Sequence, residues 1–141
     1  MINTDIISIT SQVAGISLAR SQPIDIADAN TISLSAKGAY QLNLFLYADW
    51  KTLAEIAGNM KHMPAAQEEI PIYIVEYFNI LGGGIVSKIN RRYRLSARFT
   101  SPVFWDHKIC YEGDEGEHVS FYYHSQHGAV KVAGNILGID G

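Results

Sequence analysis

The chain has 141 residues, a formal net charge of −3, 48% hydrophobic residues and 18% charged residues. That is one domain's worth of chain, apolar enough to bury a core, and it excludes an intrinsically disordered protein. The mild acidity gives no reason to expect a nucleic-acid surface or a polybasic membrane contact, and the single cysteine, Cys110, rules out an intrachain disulfide.

The opening Met1-Ile2-Asn3-Thr4-Asp5 lacks the positive segment of a signal peptide. No apolar run approaches the ~20 residues that cross a bilayer. A soluble, cytoplasmic protein is therefore expected, with residues 1–141 forming one domain. Ile6, Ile9, Val13 and Ile16 recur at helical spacing behind a potential cap at Asn3 or Thr4, although the run Ile6 to Thr10 would also suit a strand. Ile32, Leu34 and Ala36 alternate with Ser33, Ser35 and Lys37. After a Lys37-Gly38 turn, Tyr40, Leu42, Leu44 and Leu46 alternate with polar and aromatic neighbours, which predicts an antiparallel hairpin. Asp49 is placed to cap a helix with Leu53, Ile56, Ala57 and Met60 on one face, closed by Pro64.

The longest helical pattern runs from about Gln67 to Arg92. Its core stripe is Ile74, Phe78, Leu81, Ile85 and Ile89, widened by Val75 and Val86, and the cluster Arg91, Arg92, Arg94 suits the negative end of the helix dipole. Beyond it the chain reads as strands: Leu95 to Trp105, Lys108 to Glu112, His118 to His124 and Ala129 to Ala133, with turns at Gly113 to Gly116 and Ser125 to Gly128. Helices and mostly antiparallel strands in separate runs imply an α+β fold, an antiparallel sheet covered by two or three helices.

At ~100° per residue, the face of the long helix opposite its core stripe carries Glu76, Asn79, Gly83 and Ser87. Glu76 and Asn79 stand at i and i+3, so their side chains emerge beside one another. Gly82-Gly83-Gly84 then costs on the order of 2–3 kcal/mol of helix stability relative to alanine, which something must offset. Either the glycines permit close packing within the fold, or they leave a bare patch on which a partner docks.

The segment Ile74-Val75-Glu76-Tyr77-Phe78-Asn79-Ile80-Leu81-Gly82-Gly83 resembles the E-x-x-N signature of the CheC/CheX/FliY family of chemotaxis phosphatases, in which a small residue or glycine follows the Asn. The resemblance extends over the order of elements: a hairpin and a helix precede the signature, and Phe99-Thr100-Ser101-Pro102-Val103 follows like the family's proline-containing strand. A single E-x-x-N resembles the CheX type more than the two-site CheC type. Two departures are Pro71, which must either begin or kink the helix, and the length of the glycine run.

What the resemblance implies is a phosphatase acting on the phosphoaspartate of a CheY-like response regulator, with Asn79 orienting the attacking water and Glu76 pairing with the receiver's lysine. Gly82, Gly83 and Ser87 would form the docking surface, the Mg²⁺ required would belong to the receiver, and the protein would dimerise through strands. No cofactor or metal is expected in this chain itself. The alternatives are an adaptor of the same fold, or a homodimer interface at the glycine patch.

Other signals carry less. His118 and His124 share a strand face with Ser120 and Tyr122 but lack an arguable third ligand. Asp114, Glu115 and Glu117 lack the spacing of a calcium loop, and Gly82-Gly83-Gly84 lacks the ending of a P-loop. Cys110 reads as a small strand hydrophobe.

Overall fold

In the computed structural model, which describes residues 2–109 and 117–138, the chain runs α1 (Ile2–Ala14), β1 (Ala19–Arg20), β2 (Asn30–Gly38), β3 (Gln41–Ala48), α2 (Trp50–Lys61), α3 (Ile70–Tyr93), β4 (Ala97–Phe99), β5 (Val103–Trp105), β6 (Glu117–His124) and β7 (Ala129–Leu137). The strands form one antiparallel sheet in the order β1-β6-β7-β3-β2-β4, with β5 also on β2. This is the α+β arrangement expected from the sequence, with the three helices over one face of the sheet.

Alternation decides which face that is. Ile32, Leu34 and Ala36 of β2 pair with Leu46, Leu44 and Leu42 of β3, and all six are buried. With Val130 and Val132 of β7 they join the core that Ile6 of α1, Leu53 and Ile56 of α2, and the apolar stripe of α3 complete. Leu, Ile and Val at period two on the sheet and period 3.6 on the helices meet face to face. On the opposite face the same strands carry a polar ladder. Ser35 Oγ donates to Asn43 Oδ1 at 3.0 Å, and Asn43 Nδ2 donates to Asn135 Oδ1 at 3.2 Å.

Asp49 caps α2 as its position suggests, accepting from Thr52 N at 2.8 Å. The helix stops at Lys61, with His62 left-handed and Pro64 just beyond. The N-terminal segment is helix, not strand: the hydroxyls of Thr10 on α1 and Tyr77 on α3 lie 2.6 Å apart inside the core. Burial pushes the Tyr77 hydroxyl up to about 12, so this contact between the helices stays uncharged at neutral pH.

The run Leu95 to Trp105, expected as one strand, is two. β4 pairs with Ala36 to Gly38 and β5 with Thr31 to Ser33, leaving Thr100, Ser101 and Pro102 opposite Leu34 and Ser35. One extra residue on an edge strand is a bulge, and proline, which cannot donate to a ladder, is tolerated there. Thr100 N restores one bond by donating to Ser35 O at 2.8 Å. β7 extends to Leu137, four residues past the expected Ala133, and Ala19–Arg20 adds a short strand without a sequence signal. Lys108 and Ile109 are not strand; the rest of that expected strand, and Cys110 and the Gly113 to Gly116 turn, lie outside the described residues.

Candidate functional site

The site helix α3 is fixed at both ends by local chemistry. Pro71 falls in its first turn, where a missing N–H and a preset φ suit helix initiation, so it begins the helix and does not kink it. The Glu69 carboxylate just before it accepts from Lys61 Nζ at 2.6 and 2.8 Å and from Ala66 N at 2.8 Å, tying α2 to the start of α3. The hydrogen bond from Lys61 holds the Glu69 carboxyl below its usual range, with the Ala66 amide adding to it; the same bond raises Lys61. At the far end Arg94 turns left-handed and its N–H closes on Asn90 O.

Between these ends the helix is apolar enough, by length and composition, to cross a membrane. Its apolar residues are nevertheless spent inside the fold: Ile74, Phe78, Leu81 and Ile85 are all within 1% of complete burial. That is the packing of a core helix. Val86 and Ile89 are buried beside them, whereas Val75 is only half-buried.

Glu76 and Asn79 lie on the outward face, both exposed, and among the described residues neither side chain makes a hydrogen bond or ion pair. A carboxylate and a carboxamide one turn apart thus keep their full hydrogen-bonding capacity. Two residues that sequence patterning did not single out flank them. Ile72 is 67% exposed and Ile80 43% exposed, at i−4 and i+4 from Glu76. Both stand off the core stripe, and that displacement was the available signal. The outward face therefore presents two polar groups bordered by apolar side chains, as a surface that another protein covers does.

The glycines behave differently from one another. A Cβ on Gly82 would stand 2.7 Å from Leu34 Cδ1 of β2, one on Gly83 would stand 3.2 Å from Phe99 Cζ of β4, and one on Gly84 would stand 2.8 Å from Ile9 Cδ1 of α1. Gly82 is buried, so its expected place in a docking surface is corrected: Leu34 of the same chain already fills the space above it. The helix-propensity loss is offset by close approach of α3 to sheet and helix within the fold. Gly83 is half-buried under Phe99, and Ser87 is exposed one turn further on.

Among the described residues, no three His, Cys, Asp or Glu side chains gather where they could hold a metal ion. His118 and His124 are exposed on β6, and His127 lies with Nε2 3.8 Å from Glu55 Oε2.

No family model matches the sequence, and no curated protein matches it. Solved structures do. The chain is similar to the chemotaxis protein CheX from Vibrio vulnificus, with a TM-score of 0.80 at 18% identity over 96% of this chain and 93% of that one. It is similar to a CheC-like superfamily protein from Shewanella sp. PV-4, with a TM-score of 0.81 at 15% identity over 97% and 95%. It is also similar to a chain of the CheX–CheY–BeF3–Mg+2 complex from Borrelia burgdorferi, with a TM-score of 0.78 at 14% identity over 96% and 95%. At these identities the likeness is one of architecture: the chain has the fold of the CheX, CheC-like and FliY chemotaxis proteins.

Proposed function

We propose that the protein is a phosphatase for the phosphoaspartate of a CheY-like receiver domain. The observation that carries this reading is the exposed, unengaged pair Glu76 and Asn79 on the outward face of α3. Support comes from the fold, which is shared with a protein solved in complex with CheY.

The chemistry needs little from the enzyme beyond placement. Water attacks phosphorus in line with the acyl oxygen, the phosphorus–oxygen bond to aspartate breaks, and its electron pair returns to the carboxylate. Inorganic phosphate leaves with the water's oxygen, and a proton passes to solvent. A carboxamide suits the task because Asn79 Nδ2 donates and Oδ1 accepts, so it can hold the water in one orientation. Glu76 would meet the cationic lysine of the receiver, since a carboxylate brought to the phosphoryl group itself would repel it. The Mg²⁺ that neutralises the phosphoryl oxygens belongs, in this reading, to the receiver.

The two departures from the family pattern, Pro71 and the glycine run, are accounted for by helix initiation and internal packing. Incubation with a panel of receiver domains charged from a small-molecule phosphodonor tests the proposal. One receiver should lose phosphate faster with the protein present, and unchanged decay across the panel would end the phosphatase reading. We further propose a homodimer formed through strands. Among the described residues, β1 and Ser21 meet β6 at Tyr122 to His124, and no other strand pairs with that side of β6. Light scattering should give twice the chain mass at micromolar concentration, and a monomer there would rule the dimer out.

A further inference from the structure

One turn past Asn79, where Gly83 marks its near end, a groove of about 630 Å³ opens between α3 and β4. Its floor is Val86 and Ala97, both buried; Phe99 of β4 faces α3 with Ala97, and Arg91 of α3 and Arg98 of β4 line its rim. The groove does not depend on a loop for its shape. Asn90 Nδ2 donates to Ala97 O at 3.2 Å, and its Oδ1 accepts from Tyr40 Oη at 2.7 Å, clamping β4 to the helix. Gly38 brings β2 against the start of β4 so closely that a Cβ there would lie 2.5 Å from Ser96 O.

The chain carries a net negative charge, yet this face is cationic. Arg91 and Arg98 are exposed, and among the described residues neither guanidinium meets a carboxylate. Lys61, Lys88 and Lys108, by contrast, each lie within 3.0 Å of an acidic oxygen. Phe99, against Gly83 one turn past Asn79, remains 37% exposed. Two unpaired guanidinium groups beside an exposed ring over an apolar floor fit one chemistry: an acidic surface segment with an apolar side chain among its carboxylates.

We infer that the groove between α3 and β4 is a second docking surface, continuous with the Glu76–Asn79 face, that takes an acidic, apolar-centred segment of the receiver through Arg91, Arg98 and Phe99. This rests on the phosphatase reading for the identity of the partner. It assigns affinity and orientation to the groove and turnover to Asn79.

The test uses the full chain and whichever phosphorylated receiver it dephosphorylates fastest. The double variant Arg91→Glu/Arg98→Glu should raise KM about tenfold or more and flatten its rise with salt, while kcat at saturation stays within about twofold. Arg91→Gln/Arg98→Gln should fall between, and Arg91→Lys/Arg98→Lys should restore most of the salt dependence. Lys51→Glu on α2, the same charge change as one arginine reversal but away from the groove, should leave KM alone. Wild-type KM and salt dependence in both the glutamate and glutamine variants would overturn the groove while leaving the phosphatase standing. A KM rise in Lys51→Glu equal to that of Arg91→Glu alone would reduce it to general steering and overturn it as well. If the wild-type chain neither binds nor dephosphorylates any receiver, both proposals fall together.

Discussion

Asn79→Ala is expected to slow receiver dephosphorylation a hundredfold or more, about 3 kcal/mol of transition-state stabilisation. Asn79 is exposed and its side chain makes no hydrogen bond among the described residues, so truncation should leave the fold and the docking face intact. The loss should appear in kcat and not in KM, because an amide that orients water acts after the partner is seated. Asn79→Asp should fail as well: it removes the donor and sets a second carboxylate beside the dianionic phosphoryl group. Single-turnover loss of phosphate from a charged receiver measures both. Wild-type rates in Asn79→Ala would instead remove this amide from the mechanism.

Gly82→Leu should destabilise the protein by about 3 kcal/mol, the upper end of overpacking in a core. Even a methyl at this position would meet Leu34 at 2.7 Å, and Leu34 is itself buried in the core. Gly83→Ala should do the reverse. The methyl would meet only the tip of the partly exposed Phe99 ring, which can tilt outwards, so the gain in helix propensity of up to about 1 kcal/mol survives. Urea denaturation of the two variants separates them, and equal losses in both would contradict the distinct packing of adjacent glycines.

Much of the fold was legible because its signals are local. The hairpin declared its register through alternation in Ile32 to Ala36 and Leu42 to Leu46, and α3 declared its buried side through Ile74, Phe78, Leu81 and Ile85. The outward position of Glu76 and Asn79 followed from the same periodicity. What stayed hidden was decided by neighbours distant in sequence. The bulge at Thr100 to Pro102 depends on how two short strands share β2, and nothing within Leu95 to Trp105 states it. The glycine run showed that something approaches closely, but not that Leu34, Phe99 and Ile9 do so separately. Arg91 could be read from sequence as a dipole-compensating terminal residue. Arg98, the other arginine that lines the groove, sits on another element, so the groove emerges only when α3 and β4 are brought together.

Three successive residues of α3 each abut a different element, and successive residues point ~100° apart around the axis. The rod is therefore triangulated at mid-length: rolling it either way drives a backbone into Leu34 or Ile9. Its azimuth is set before any partner arrives, and with it the compass bearing of the amide one turn upstream and the carboxylate two turns upstream. A partner meeting this surface would find an aim already taken, and association need not spend free energy on settling it.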